Sequence, residues 1–326
     1  MNTTPETALT VVPATGTALA VVDLGAALDY ARAAVPPNTE RVYRCQWQAF
    51  ERYCAAAGVE ALPARPETVA AYIANRAKAG ASVSTIEQAL AAVAAAHLAA
   101  RLATPTSSAE VKLTRRGIRR SHGVAPTKKA PATVAALDRM VAAIPGRDLR
   151  ALRDRALLLV GMAGGFRRSE LVALDVADLE DDPQARGIHA HVRRGKTDQE
   201  GRGHTKAIPF GRGDLDPAGA LRAWLRAAGI AGGAVFRSVD RYGNVREQRL
   251  AGHDVARIVK GTAERAGLDP RTYSGHSLRR GFVTQAALDG NDTRKIIRQT
   301  QQTERTAHGY IDAADPFAEN AVVGMF

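Results

Sequence analysis

An unbroken apolar run from Ala156 to Met162 limits the folds that this chain can adopt. The run continues a helical pattern that starts at Arg150. A helix that is apolar all round has no face to turn to water, so we predict that it is deeply buried. Since 326 residues exceed what a single core usually holds, we expect two domains, of which this helix organises one.

Residues 25–124 have the pattern of a compact helical domain. Val42, Trp47, Phe50 and Tyr53 recur at helical spacing, with charged residues between them. Further helices are predicted at Glu67–Ala77, Ser84–Arg101 and Ser108–His122, and the buried stripe of the second of these is predicted to be Ile86, Leu90, Val93 and Leu98. Short polar turns join the helices, which is typical of a four- to five-helix module. Residues 1–24 lack any period and are predicted to be a disordered leader.

Residues 132–326 are predicted to form a second domain, after a linker at 125–131. Its helices are predicted at Val134–Ala143, Arg150–Met162, Leu221–Ala228, Asp254–Ala266, Leu278–Leu288 and Thr293–Gln299. The strands of one small antiparallel sheet are predicted at Asp175–Glu180, Gly187–Arg193 and Thr205–Phe210. We therefore expect a mainly α chain, in which a helical N-terminal domain precedes a helix-dominated, mixed α+β domain with a small antiparallel sheet.

The charge of the chain points to a polyanionic partner. With 45 Lys and Arg against 33 Asp and Glu the formal net charge is +12, and nucleic acid is the first candidate. No apolar run approaches the span of a bilayer, and the first basic residue is Arg32, so we expect neither a membrane partner nor a signal peptide. Cys45 and Cys54 are too far apart along one predicted helix to form a disulfide, which fits a reducing cytoplasm and offers no metal site.

Basic residues cluster around the helix Ser108–His122. The candidates are Lys112, Arg115, Arg116, Arg119 and Arg120 on the helix, Lys128 and Lys129 in the following loop, and Arg41 and Arg44 on the first helix. A solvated helix face is the ordinary explanation of such a run. Contact with DNA phosphates is the other, and the single sign of the charge beside a predicted linker favours it.

His276, Arg279 and Tyr310 form a set of side chains suited to phosphate chemistry. His276 and Arg279 are three residues apart, so they share a face of the predicted helix. A guanidinium grips two oxygens, an imidazole moves a proton, and a phenol can become a covalent nucleophile. A solvated basic face has the same spacing by chance, so this set alone does not decide the function.

Two more charged motifs precede this set. Arg167 follows the buried helix through a Gly-Gly pair and is backed by Glu170 three residues on. A strand at Ile188–Val192 then enters a turn that carries Lys196. In order, the chain therefore has Arg, Lys, His-x-x-Arg and Tyr. In this order and spacing it resembles the tyrosine site-specific recombinases of the phage integrase family, with a layout similar to the Cre type, over about residues 36 to 326.

The resemblance implies a function and a set of partners. Enzymes of this family cut and rejoin DNA strands through a 3′-phosphotyrosyl intermediate, without a metal ion or another cofactor. They close a helical domain and a catalytic domain around double-stranded DNA, so residues 25–124 would bind the DNA core and residues 132–326 would catalyse. By the same resemblance, we expect a monomer that assembles as a tetramer on a recombination site with inverted repeats, in the cytoplasm and at the nucleoid.

The resemblance also assigns roles to individual residues. Arg167 and Arg279 would hold the two non-bridging phosphate oxygens, with Glu170 orienting the first guanidinium from behind. Lys196 would protonate the departing 5′ oxygen. Without the resemblance, its nearest competitors for that role are Arg194 and Lys206.

His276, Tyr310 and Gln301 complete the assigned site. His276 would accept or return the proton of the hydroxyl of Tyr310, which would be the nucleophile. Tyr273 is the rival nucleophile, but it precedes the helix and does not match the family position. Gln301 is a departure, because the family usually has His or Trp nine residues before the nucleophile, donating to the scissile phosphate. A Gln amide can still donate a hydrogen bond, so Gln301 stays among the site residues.

The segment Phe317–Phe326 is a short apolar tail. Such a tail normally packs against its own domain, whereas the family resemblance implies that it docks on a neighbouring protomer.

Two other functions stay open. A type IB topoisomerase-like nicking enzyme would share the chemistry without needing the tail, and a catalytically silent DNA-binding protein would have Gln301 as a sign of its decay.

Overall fold

The computed structural model describes residues 36–124, 129–195, 198 and 201–311. The chain divides into two compact units, Met1–Thr127 and Lys128–Phe326, each with its own apolar core. The predicted leader, the start of the predicted helical domain, most of the predicted linker and the apolar tail lie outside the described residues. The same is true of two candidate site residues, Lys128 and Lys196.

In the described part of the N-terminal unit the chain forms the helices α1 Pro37–Ala57, α2 Pro66–Lys78, α3 Val83–Ala99 and α4 Ala109–His122. A proline opens α1 and α2, at a position where its missing N–H would have no helical partner. Ser82 and Ser108 cap α3 and α4, because their hydroxyls accept the backbone N–H groups of Thr85 and Val111. The helical character predicted for this region is confirmed.

The buried stripe predicted for α3 is wrong at its last position. Leu98 is 76% exposed, whereas His97 is fully buried. Helical spacing explains this, because residue 97 lies four positions after buried Val93 and so shares its face. The imidazole is satisfied on both sides, since Nδ1 donates to the carbonyl of Val93 (2.8 Å) and Nε2 accepts the backbone N–H of Ala64 (2.9 Å).

The C-terminal unit is built around α6 (Leu149–Ala163), the predicted buried helix. Residues 156–160 of α6 are at most 2% exposed, as the apolar run predicts. The other helices are α5 Val134–Ala142, α7 Arg168–Ala173, α8 Pro217–Ala227, α9 Gly252–Arg265, α10 Ser277–Leu288, α11 Thr293–Thr300 and α12 Glu304–Ile311. α6 packs against α8 and α10, so the end of α6 lies beside the helix that carries Arg279.

A small antiparallel sheet has the order β1 (Leu179–Asp181), β2 (Gly187–Val192) and β3 (His204–Pro209). The predictions for β2 and β3 are confirmed to within one residue. The strand predicted at Asp175–Glu180 is mostly wrong, because residues 176–178 form a 3₁₀ turn. The Asp178 carboxylate accepts the backbone N–H of Asp175 (2.9 Å), and this hydrogen bond closes the turn.

Some short elements have no counterpart in the sequence predictions. They are α7, α12 and the hairpin of β4 (Arg237–Val239) with β5 (Val245–Arg249), none of which exceeds eight residues. A helical period is recognised most clearly over about 11 residues or more, which exceeds α7 and α12, and the strands β4 and β5 do not alternate between buried and exposed residues. The start predicted for α8 at Leu221 is also wrong, because Asp216 accepts the N–H of Gly219 (3.0 Å) and starts the helix a turn earlier. None of the described helices combines the length and apolar character needed to cross a lipid bilayer.

Candidate active site

Arg167 is positioned by a tight exit from α6. Gly165 has a positive φ of +52°, and a side chain at Gly164 would overlap the ring of Phe166, so the chain can turn sharply here only with glycine. Arg167 directly precedes α7 and pairs with Glu170, which lies on that helix. The carboxylate accepts the backbone N–H of Arg167 (2.9 Å) and Nη1 of its guanidinium (2.6 Å). Glu170 therefore orients the guanidinium of Arg167, and this is the contact that the sequence predicts.

Glu170 is a buried anion among cations. Burial by itself raises its pKa, but the hydrogen bonds from Arg167 and the nearby Lys206 ammonium outweigh burial and hold the pKa below its ordinary value. Glu170 also lies 3.9 Å from Nη1 of Arg279 and 3.9 Å from Nζ of Lys206. A single carboxylate therefore compensates three positive side chains.

Arg279 lies on α10 and is only 1% exposed. Its Nη1 donates to the carbonyl of Gly165 (2.7 Å) and its Nη2 to the carbonyl of Thr300 (2.6 Å). Burial, reinforced by the charge of Arg167, lowers the pKa of Arg279 to about 10. The guanidinium is therefore still charged at neutral pH and is held rigidly between two segments of backbone.

Three cations meet at the C-terminal end of α11. Lys206 Nζ donates to the carbonyl of Gln299 (2.5 Å), Arg279 Nη2 to that of Thr300 (2.6 Å) and Arg167 Nη2 to that of Gln301 (3.3 Å). The last carbonyls of a helix lack helical partners and carry partial negative charge. Successive carbonyls therefore gather the three cations into one place, and the two arginines that the sequence singles out lie side by side.

Lys206 also belongs to this cluster. From the sequence it is only an alternative to Lys196 for the role of general acid. It is completely buried, its ammonium lies 5.1 Å from the centre of the Phe166 ring, and burial lowers its pKa to about 7. The signal in the sequence was present. Lys206 lies two residues before buried Ile208 on a predicted strand. Side chains two residues apart on a strand point to the same face, so the side chain of Lys206 points into the core.

The β2–β3 connection approaches this cluster at Gly195. A side-chain carbon at Gly195 would lie 3.5 Å from Oε1 of Glu170 and 3.6 Å from Nη1 of Arg167. Lys196 follows directly but lies outside the described residues. Arg194 is exposed, and its side chain runs along Gly201 in the same connection.

His276 and Tyr310 come together across α10 and α12. Nε2 of His276, which directly precedes α10, lies 3.2 Å from the hydroxyl of Tyr310. Tyr310 is half-buried, and its ring also lies beneath the guanidinium of Arg280 (5.5 Å to the ring centre). The rival Tyr273 is only 6% exposed and belongs to the apolar core, so its hydroxyl is poorly placed to meet a substrate.

A basic face on α4 forms a second candidate site, in the N-terminal unit. Its residues are spaced so that they share one side of the helix, and they line a surface groove of about 510 Å³; they are Lys112, Arg115, Arg116, Arg119 and Arg120. The carboxylate of Glu87 accepts from Arg115 (2.7 Å) and Arg119 (3.2 Å). One carboxylate against five cations leaves this α4 basic face strongly positive.

The other basic candidates that the structure describes each contact a residue of their own unit. Arg41 donates to Asn38 (3.0 Å) and Arg44 pairs with Glu40 (2.6 Å), both on the exposed surface of α1. In the C-terminal unit, Nζ of Lys129 donates to the carbonyl of Arg271 (2.7 Å).

Comparison with known proteins decides the family. A family model described as the phage integrase family matches residues 133–304, which include Arg167, Glu170, His276, Arg279 and Gln301. The chain belongs to the phage integrase family. An integrase/recombinase XerD homolog of Selenomonas ruminantium is 36% identical over 294 residues, covering 89% of this chain and 85% of that protein. The tyrosine recombinase XerC of Pelotomaculum thermopropionicum is 31% identical over 150 residues, 44% of each chain. This confirms the predicted family, and the chain is a tyrosine recombinase.

Solved structures of recombinases have the same fold as this family member. The XerH site-specific recombinase bound to a palindromic difH substrate matches with a TM-score of 0.61 at 15% identity, over 87% of this chain and 79% of that one. A lambda integrase dimer bound to a core site matches with a TM-score of 0.60 at 13% identity, over 92% and 95%. The predicted mainly α fold with a small antiparallel sheet is confirmed.

Gln301 has an unusual backbone conformation for a residue other than glycine. It ends α11 in the left-handed region (φ 53°, ψ 43°), and its side-chain amide donates to the carbonyl of Arg298 (2.9 Å). Its backbone carbonyl is the one that meets Arg167. The residue thus contributes to the cation cluster through its backbone, whereas the sequence prediction assigns the donor role to its side chain.

Proposed function

We propose that this recombinase cuts and rejoins DNA through a 3′-phosphotyrosyl intermediate formed on Tyr310. The observation that carries the proposal is the 3.2 Å approach of His276 Nε2 to the Tyr310 hydroxyl. A proton acceptor at hydrogen-bonding distance from a phenol is the arrangement that an activated tyrosine nucleophile requires. The Arg279 guanidinium, three residues along the chain from His276, supplies positive charge on the same side of α10.

In the proposed reaction the Tyr310 oxygen attacks the phosphorus and its proton passes to Nε2 of His276. The bond from phosphorus to the 5′ oxygen breaks, and that oxygen leaves with a proton from a general acid. Attack by a 5′ hydroxyl on the phosphotyrosine runs the same steps backwards and rejoins the strand. Arg167 and Arg279 stabilise the charge on the non-bridging oxygens, which preorganised donors do without reorganising during the reaction.

Lys196 is the general acid in this proposal, and Lys206 has a different role. The ammonium of Lys206 donates to the carbonyl of Gln299 (2.5 Å) and lies 3.9 Å from Glu170, so its contacts are those of a residue that holds other groups in place. Gly195, the residue before Lys196, lies against the Arg167–Glu170 pair, which supports the assignment to Lys196. Lys206 would instead hold the end of α11 and compensate Glu170.

Side chains supply all the positive charge in this scheme, so we propose that the reaction needs no metal. The test is cleavage in the presence of a strong chelator of divalent cations. Unchanged rates are expected, and a loss that added metal restores would contradict the proposal.

We further propose that residues 25–124 form the DNA core-binding domain and residues 132–326 the catalytic domain. The α4 basic face supports this division, because phosphate contacts need clustered cations that project from one side of an element. Lys128, Lys129, Arg41 and Arg44 would make further phosphate contacts. The DNA would be a recombination site with inverted repeats, since repeats let identical protomers bind with the symmetry of the site.

We propose that four protomers assemble on the DNA, with the apolar tail of each docked on a neighbour. Deletion of residues 317–326 separates recombination from simple nicking. In a tetrameric recombinase the truncated chain should still cleave but lose strand exchange. If strand exchange survives in the truncated chain, tail docking is wrong. A nicking enzyme of the topoisomerase type would retain its full activity, because it acts without partners.

A nicked suicide substrate tests the chemistry itself, because loss of the short cleaved fragment traps the covalent intermediate. The wild-type protein should form a covalent adduct with DNA that resists denaturation. Tyr310→Phe should form none while binding the same DNA with the same affinity, since only the hydroxyl is removed. An adduct in Tyr310→Phe would assign the nucleophile to another residue, with Tyr273→Phe as the matched control. A cognate site that is bound but never cleaved would support the silent DNA-binding protein.

A further inference from the structure

Arg280 takes no part in the proposed cleavage reaction, yet it contacts the proposed nucleophile, Tyr310. Its guanidinium carbon lies 5.5 Å from the centre of the Tyr310 ring. On α10 it follows His276 by four residues, so both side chains leave the same face of the helix. Tyr310 is therefore contacted twice from α10, at its hydroxyl by His276 and at its ring by Arg280.

The other end of the Arg280 guanidinium is fixed to backbone. Nη1 donates to the carbonyl of Lys129. The segment that carries this carbonyl is itself tied down, because the N–H of Ala130 bonds to the carbonyl of Thr272 (2.8 Å) and the N–H of Ala132 to that of Ser277 (2.9 Å). Residues 129–132 thus form a strap across the start of α10. Arg280 links this strap to the nucleophile.

The buried Nε of Arg280 shows that this placement has an energetic cost. Within the described ranges it finds no hydrogen-bond acceptor. A buried donor without a partner is destabilising and calls for an explanation. A guanidinium turned outward would have all its donors hydrated, so its position over the ring is maintained by the bond from Nη1 to the carbonyl of Lys129 together with the packing around it.

A cation over the ring has two consequences for a phenol. It fixes the ring sterically, which matters because α12 has only eight residues and a helix this short does not hold its own geometry. It also stabilises the phenolate, since the negative face of the ring becomes more negative when the hydroxyl loses its proton. Both effects favour attack by the Tyr310 oxygen.

We propose that Arg280 is a positioning residue for the nucleophile, clamping the Tyr310 ring against α10 from an anchor on the strap of residues 129–132. The proposal rests on the proposed role of Tyr310. It adds to that role a residue that neither touches the phosphate nor takes a proton. The strap directly follows the boundary between the two units, so the anchor of the nucleophile lies where the catalytic unit begins.

The test compares Arg280→Gln, Arg280→Lys and the control Lys260→Gln, which removes an exposed cation from α9. Single-turnover cleavage of the suicide substrate is measured across the neutral pH range, together with DNA affinity. Arg280→Gln should lower the cleavage rate about 5- to 30-fold, the range of a partly buried cation–π contact, with DNA affinity unchanged. The acid limb of its pH–rate profile should also move to higher pH, because the negative charge that forms on the attacking oxygen is less stabilised without a nearby cation.

The shift in pH dependence separates a positioning role from a merely structural one. His276 and Arg279 interact with the phenol, while Arg298 of α11 and Glu304, Arg305 and His308 of α12 lie on the helices that pack together with α10. All these charged groups are unchanged in the variants. Arg280→Lys keeps a cation, so its acid limb should stay near that of the wild type. Its rate should fall less than that of Arg280→Gln, because one ammonium cannot both cover the ring and reach the carbonyl.

Two results would overturn the inference. One is wild-type rate and pH dependence in Arg280→Gln. The other is an equal loss in Arg280→Gln and Arg280→Lys with no movement of the acid limb, which would make Arg280 a structural residue. Thermal unfolding identifies a variant that fails to fold, and Arg280→Lys then carries the test. Failure of the proposed function has a different signature, the absence of any Tyr310-dependent adduct in the wild type, and this would remove the inference too.

Discussion

The two units of this recombinase use positive charge in opposite ways. On the α4 basic face, five cations project from one side of a helix into water and share a single carboxylate, Glu87. In the C-terminal unit, Arg279 and Lys206 are at most 1% exposed and are bonded to backbone carbonyls beside Glu170. Exposed charges are screened by salt and can replace one another, whereas buried charges are preorganised and depend on each partner. Individual substitutions should therefore have small effects in the first region and large effects in the second.

The largest effect is expected at Arg279. Arg279→Gln removes a preorganised donor and should lower the single-turnover cleavage rate by about 100- to 1,000-fold. DNA affinity should change far less, because the side chain is one buried contact among many exposed ones. Quench experiments on the suicide substrate measure the rate, with Lys260→Gln as the exposed control. A loss smaller than about tenfold would mean that burial has not made this cation indispensable.

Removal of the shared anion, Glu170, should destabilise the C-terminal unit. Glu170→Gln keeps the shape and the acceptor oxygen but leaves three cations without a compensating charge, and breaking a buried pair costs about 3–5 kcal/mol. The matched variant is Glu180→Gln, because Glu180 is 67% exposed in its pair with His191. For Glu180→Gln the free energy of unfolding is expected to change by less than about 1 kcal/mol. Urea unfolding measures both, and equal changes would contradict the distinction between buried and exposed charge.

Lys206 should show the energetic cost of its burial through pH. Its pKa is about 7 in the folded protein and 10.5 in the reference state, so the unfolded chain binds more protons between these values. The free energy of unfolding of the wild type, relative to Lys206→Met, should therefore rise with pH from about 7 to 10.5, by at most about 1.4 kcal/mol per pH unit. Below that window the difference should be constant. Urea unfolding at several pH values tests this, and a difference that falls with rising pH would show that the ammonium is not destabilised by burial.

The smallest effect is expected on the α4 basic face. Arg116→Gln should weaken binding to every DNA sequence alike and reduce the slope of log affinity against log salt by about one. The rate of cleavage on saturated DNA should not change. Leu113→Gln, at a neutral position that is 62% exposed on the same helix, is the control. A sequence-dependent loss would reveal base contact, and no change in the salt slope would remove Arg116 from the DNA-binding surface.

Local patterns predict most of the helices correctly. The apolar run in α6 and the helical spacing in α1 to α4 are properties of neighbouring residues, which the sequence displays directly. The errors occur where a few side-chain hydrogen bonds decide the outcome. Asp178 turns a predicted strand into a 3₁₀ turn, and Asp216 starts α8 early. At position 97 of α3 the helical period is right, but a polar residue occupies the buried place.

The candidate site is predicted only in part. The order of motifs singles out Arg167, His276, Arg279 and Tyr310, and the structure brings the arginines together at one helix end and His276 to Tyr310. Lys196 remains a prediction. Lys206 and Arg280 are not assigned to the site by the sequence, because nothing in their immediate neighbours shows which groups they meet.

By itself, the sequence determined the helical character of both units, the buried helix that precedes the first arginine, and the family to which the chain belongs. Only the tertiary structure decided how the cations are held. Lys206 meets the carbonyl of Gln299 across 93 residues, and Arg279 meets that of Gly165 across 114. Such contacts depend on how helices and strands distant in sequence pack against each other. Periodicity records which face of an element is buried, but it does not record which backbone carbonyl a buried charge will find there.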